Sequence, residues 1–208
     1  MIAIVDYGMA NLRSVEKALQ FVGADARITS DPAEIAAADK VVLPGVGAFC
    51  ASMTNLHGRG LTDSVIQAIH SGRPFLGICV GLQMLFAEGT EMGITPGLGI
   101  FGGQVVRFFE KGVPAGCEDL KVPHIGWNSI TPAPSSRLLA GIEPGERVYF
   151  VHSFYPAPED PGIIAATCDY GGEFCCAVEQ GTVAAVQFHP EKSGAVGMRI
   201  LRNFVNWE

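Results

Sequence analysis

A cysteine attacks a carbonyl as its thiolate, and this chain places one cysteine where a thiolate would be both favoured and presented. Cys79 stands at the centre of Gly77-Ile78-Cys79-Val80-Gly81, after the apolar run Pro74 to Ile78 and before a helical start. That strand–turn–helix order is a nucleophile elbow with sulfur in place of a hydroxyl. So tight a turn holds the nucleophile in strained backbone geometry, and glycines two residues to either side remove side chains that would collide across it. The first N–H groups and positive dipole end of the following helix would favour the Cys79 thiolate. The competing reading is one more buried cysteine in an apolar stretch.

Such a nucleophile needs a base, and the base needs a group to orient it, each free to lie far away in sequence. Gln187-Phe188-His189-Pro190-Glu191-Lys192 follows the apolar strand Thr182 to Val186. His189 therefore falls at the C-terminal end of a strand, the edge at which α/β sites assemble. Glu191, two residues on, can reach back to one imidazole nitrogen and fix the tautomer. His152, in Tyr149-Phe150-Val151-His152-Ser153-Phe154, is the alternative base, but no carboxylate lies near it in sequence. A third element is Pro44-Gly45-Val46-Gly47, after the strand Lys40 to Leu43. Attack on an amide creates an oxyanion that needs waiting N–H donors. Val46 or Gly47 can offer one and Val80 the other; the alternative is an ordinary glycine-rich turn.

The elements that must position these groups are legible in outline. Ile2 to Val5 reads as a buried strand, and Asn11 can cap a helix whose Leu12, Val15, Ala18, Leu19 and Val22 form one stripe ended by Gly23. Asp31-Pro32 opens a short helix, Lys40 to Leu43 is a strand, Leu61 to His70 a helix and Pro74 to Ile78 a strand. Strands alternating with helices imply crossovers and a parallel sheet. After about Gly97 the texture becomes β-rich, with strands at Gly103 to Phe108, Val148 to Val151, Cys175 to Glu179 and Val183 to Phe188, and a final helix over Ala195 to Val205. The expectation is an α/β fold: an open, mostly parallel central sheet flanked by helices, with additional antiparallel strands in the C-terminal half, residues 1–208 forming a single domain.

Composition narrows the function classes. The 208 residues are 48% hydrophobic and 17% charged, with a net charge of −7, which argues against a basic nucleic-acid surface. The opening apolar run is broken at Asp6, too early for a signal peptide or spanning helix, so no membrane association and a cytoplasmic location are expected. The six cysteines form no C-x-x-C pair and the five histidines are scattered singly, so reduced thiols, no metal and no cofactor are expected.

In chain order, PGVG, G-I-C-V-G-L-Q and H-P-E-K resemble the class I (triad type) glutamine amidotransferases over nearly the whole chain. Within that family, Ile4-Val5-Asp6-Tyr7-Gly8-Met9-Ala10-Asn11-Leu12-Arg13-Ser14-Val15, Pro123-His124-Ile125-Gly126-Trp127-Asn128 and Tyr149-Phe150-Val151-His152-Ser153 are similar to the glutaminase subunits of imidazole glycerol phosphate synthases. The resemblance implies that Cys79, His189 and Glu191 release ammonia from glutamine through a thioester. It implies that ammonia then passes to a separate (β/α)₈ barrel cyclase subunit, which makes imidazole glycerol phosphate and the purine precursor AICAR in histidine biosynthesis. It further implies that Gln83, Ser153 and Phe154 bind glutamine, with Phe154 standing where many relatives carry Tyr. Asn11, Trp127, Asn128, Tyr149 and Lys192 would face the barrel subunit, and PGVG would move when that subunit activates the glutaminase. Three readings compete: the glutaminase subunit of another amidotransferase, of anthranilate or aminodeoxychorismate type, a stand-alone cysteine hydrolase, and a non-enzymatic binding module.

Overall fold

The computed structural model describes residues 1–207. Its first half alternates strand and helix: β1 (Ile2–Val5), α1 (Leu12–Phe21), β2 (Ala26–Thr29), α2 (Pro32–Ala37), β3 (Lys40–Gly45), α3 (Phe49–Gly58), α4 (Thr62–His70), β4 (Phe75–Cys79) and the one-turn α5 (Val80–Gln83). The second half is strand-rich: β5 (Phe86–Gly89), β6 (Thr95–Pro96), β7 (Phe101–Arg107), β8 (His124–Pro132), β9 (Arg147–His152), β10 (Phe154–Pro158), β11 (Ile164–Asp169), β12 (Glu173–Gln180) and β13 (Val183–Val186). A 3₁₀ turn, Pro190–Lys192, and α6 (Gly194–Val205) follow.

The strands form a nine-stranded sheet in the order β2-β1-β3-β4-β13-β12-β11-β8-β9 and a four-stranded sheet in the order β10-β7-β5-β6. The pairs from β2 to β13 are parallel, and those from β13 to β9 are antiparallel. This is the α/β architecture that the sequence predicts. Every residue of β1, β4 and β13 is buried, as expected of strands covered on both faces.

Three local differences bear on the site. β3 runs to Gly45, so the start of PGVG is strand, with Pro44 opposite Ile78 and Gly45 opposite Cys79. That pairing holds the loop against Cys79. The helix after Cys79 is a single turn, so its dipole contributes little, because few peptide units align. Asn11 occupies the N-cap position of α1 but makes no side-chain capping bond, whereas the Asp31 carboxylate accepts the Ala33 N–H at 2.8 Å.

Candidate active site

Cys79 adopts φ 57° and ψ −111°, a conformation that a non-glycine residue holds only when its surroundings enforce it. The enforcement comes from the flanking glycines. A Cβ on Gly81 would lie 1.8 Å from the Leu43 carbonyl oxygen, and one on Gly77 would lie 2.9 Å from both the Gly81 oxygen and the Ala185 Cβ. Gly77 therefore clears the turn itself and the neighbouring β13, as the motif implies, while Gly81 chiefly clears β3.

Cys79 and His189 line one cavity of about 300 Å³, together with Val46, Gly47, Val80, Gln83, Glu91, His152, Ser153, Phe154 and Lys192. His189 arrives three residues beyond the end of β13, which runs parallel to β4 in register with the strand that delivers Cys79. Its backbone N–H donates to the Tyr149 carbonyl at 2.9 Å, and Pro190 opens the turn that carries Glu191 back. The His189 Nδ1 and the Glu191 Oε1 are 2.7 Å apart, with both side chains buried. The Nε2 is buried without a hydrogen-bond partner and is the nitrogen left for chemistry. Burial alone would lower the pKa of His189, but the Cys79 sulfur and the Glu191 carboxylate outweigh it and raise the ring to about 9. The imidazolium is thereby the stable form beside the sulfur.

His152, the alternative base, also reaches the cavity, but both of its ring nitrogens are engaged, with the Phe154 carbonyl and with His124. Gln83 donates to the Phe154 carbonyl at 3.0 Å and to the Gln187 Oε1 at 3.1 Å. Gln187, fully buried and absent from the sequence-based site, turns its Nε2 toward the Cys79 Sγ at 3.8 Å. Glu91 was likewise not singled out; the Phe49 N–H holds its carboxylate at 2.8 Å on the cavity wall. Both depend on approaches across the fold that leave no local signature. The Val46 N–H, an expected oxyanion donor, instead donates to the Met9 carbonyl at 3.0 Å. Gly47 has φ 88°, a backbone state open to glycine. Val80 opens α5, where N–H groups have no partner inside the helix.

A family model described as glutamine amidotransferase class-I matches residues 3–207. The chain belongs to the class I glutamine amidotransferases. This amidotransferase is 54% identical to the imidazole glycerol phosphate synthase subunit HisH of Syntrophotalea carbinolica over 98% of both chains. It is 51% identical to the protein of the same name from Geobacter sulfurreducens, over 98% of this chain and 97% of that one. Among solved structures, PurLQS from Thermotoga maritima shares the fold at 20% identity, with a TM-score of 0.71 over 99% of this chain and 97% of the other.

Of the residues expected to face a partner, Trp127, Tyr149 and Lys192 lie together. Trp127 is 46% exposed and meets the Tyr149 ring edge-to-face at a centroid distance of 6.2 Å. The Lys192 Nζ lies 5.9 Å from the centroid of the Tyr149 ring, within cation–π reach. Ile125, not singled out in the sequence, adds a 59% exposed side chain on the same strand as Trp127. Asn128 is half-buried, its amide held by the Asp169 carbonyl. Asn11 is exposed at the start of α1, which packs beside the Pro190–Lys192 turn.

Proposed function

We propose that Cys79, His189 and Glu191 hydrolyse glutamine to glutamate and ammonia. The ammonia is passed to a separate (β/α)₈ barrel cyclase subunit that makes imidazole glycerol phosphate and AICAR in histidine biosynthesis. The observation that carries this reading is the meeting of a strained elbow thiol and a carboxylate-held imidazole in one small cavity.

In the first step the Cys79 sulfur forms a bond to the carboxamide carbon of glutamine. His189 gives its proton to the departing nitrogen, the C–N bond breaks, ammonia leaves and a thioester remains. Water then attacks the thioester while His189 takes its proton; the C–S bond breaks and glutamate is released. Glu191 holds the ring throughout and stabilises its charged form. Val80 supplies one oxyanion N–H, and the second comes from Val46 or Gly47 once the peptide held by Met9 rotates. Glu91 is suited to the α-ammonium group of glutamine, and Gln83 with the backbone of Ser153 and Phe154 to the rest of its amino-acid end.

The Met9 carbonyl that restrains the Val46 N–H lies two residues from the exposed Asn11. Docking at Asn11, Trp127, Asn128, Tyr149 and Lys192 would therefore act on the loop that must move, so activity is low until the cyclase binds. A protected route for ammonia follows from its chemistry, since in neutral water it is mostly protonated and no longer a nucleophile. Among the described residues no helix is long and apolar enough to cross a membrane.

Glutamate formation measured for the chain alone, with the cyclase, and with the cyclase plus its nucleotide substrate tests the assignment. Turnover is expected to rise at each step, and Cys79→Ala to reduce it by about a thousandfold or more while partner binding is retained. A Cys79→Ala protein that keeps its turnover overturns the assignment.

A further inference from the structure

Beneath the cavity, two buried histidines sit opposite one another on paired strands: His124 of β8 and His152 of β9. Phe108, Phe150, Phe174 and Tyr170 surround them. All four ring nitrogens are nonetheless used. The His152 Nδ1 is 2.9 Å from the Phe154 carbonyl oxygen, its Nε2 is 3.0 Å from the His124 Nδ1, and the His124 Nε2 is 3.3 Å from the Asn128 Nδ2.

Elementary hydrogen-bond logic fixes every proton in this series. A carbonyl oxygen only accepts, so His152 carries its proton on Nδ1 and accepts at Nε2. His124 must then donate from Nδ1 and accept at Nε2. Asn128 supplies that last bond, because its Nδ2 also faces the Asp169 carbonyl at 2.8 Å while its Oδ1 accepts the Ser129 N–H at 2.8 Å. Beyond Phe154 the series continues, since the same carbonyl accepts from Gln83, Gln83 donates to Gln187, and the Gln187 Nε2 faces the Cys79 sulfur. Burial lowers the pKa of His124 to about 4 and that of His152 to about 3, so both rings stay neutral as the series requires.

We propose that His124 and His152 are positioning residues for the glutamine site, pinning the Phe154 carbonyl and thereby the Gln83 and Gln187 amides, with Asn128 setting the tautomer of both rings from the exposed strand. The inference rests on reading the cavity as a glutamine site. It assigns the pair an effect on substrate recognition rather than on bond breaking. It also gives the β8 surface a hydrogen-bonded connection to the nucleophile, separate from the Met9–Val46 contact.

The test uses steady-state glutaminase kinetics of the amidotransferase in complex with the cyclase subunit, together with ¹⁵N NMR of its histidine rings. His152→Phe keeps an aromatic ring among aromatic neighbours but removes the donor to Phe154. It is expected to raise KM for glutamine about tenfold while kcat changes by less than about threefold. His152→Asn, whose side-chain N–H2 can donate in place of Nδ1, is expected to recover most of that loss. Asn128→Asp removes the donor to His124, and is expected to raise KM and move a proton onto the His124 Nε2. In the wild-type protein both rings are expected to be protonated at Nδ1 alone. An unchanged KM in His152→Phe, or a wild-type spectrum with either ring protonated at Nε2, overturns the proposal. A wild-type complex that turns over no glutamine would instead sink the reading of the site, while the NMR result would still judge the histidine series by itself.

Discussion

Cys79 concentrates the residue-level physics of the protein. Its strained φ and ψ turn the sulfur into the cavity, where the Gln187 amide and His189 meet it. With the one-turn α5 a weak dipole, the charged partner for a thiolate is the His189 imidazolium, itself backed by a buried carboxylate. Because His189 rises from 6.5 to about 9 on folding, the sign of its contribution is determined. That stability is fully present below pH 6.5, where both folded and unfolded chains hold the proton, and is lost as pH rises through about 9. His189→Gln is therefore expected to differ most from wild type in unfolding free energy at or below pH 6.5, and less at pH values above about 9. Urea denaturation across that range checks it; a difference that grows with pH would contradict the imidazolium assignment.

The elements determine whether those residues meet at all. Gly81 lets α5 pass under the end of β3, and no side chain fits there, since its Cβ would fall 1.8 Å from the Leu43 oxygen. Gly81→Ala is expected to cost about 3 kcal/mol or more in urea denaturation, because backbone rather than a flexible side chain must yield. Gly60→Ala, with φ 68° but open space around it, should cost about 1 kcal/mol from backbone strain alone. Equal costs would mean that the close approach at Gly81 is not what holds the elbow. These same elements show what was legible in the sequence. β1, α1, α2, β3 and β4 carry buried runs, an amphipathic stripe or a capping Asp31, and each lies within a few residues of its expected position. β2 carries no such signal, because its centre, Arg27 and Ile28, is exposed and half-buried rather than apolar throughout. α3 buries Ser52 alongside Phe49 and Leu56, which blurs its periodicity. Cys79, His189 and Glu191 were legible because each sits in a short local motif. Glu91, His124 and Gln187 were not, because their partners arrive from strands and loops far away in sequence.

At the scale of the whole molecule, the site is built at a junction. The C-terminal ends of β3, β4 and β13 bring together the PGVG loop, Cys79 and His189, at the edge where parallel sheets commonly carry their sites. The antiparallel extension ends at β9, which leads through Ser153 into Phe154 of the four-stranded sheet to form the cavity wall, and β8 beside it presents Trp127 and Ile125 to solvent. His189 is tied to this extension through the Tyr149 carbonyl, and Tyr149 through its own N–H to the Ser193 hydroxyl at 3.0 Å. A subunit seated on β8 and β9 would thus press on the frame that holds His189. The most direct measurement of the central claim is peptide mapping of the complex after reaction with a glutamine-derived electrophile such as 6-diazo-5-oxonorleucine. The account predicts one labelled residue, Cys79, with labelling prevented by excess glutamine and glutaminase activity lost in step with it. Label on any of the other five cysteines with Cys79 left free, or activity that survives full labelling of Cys79, would contradict it.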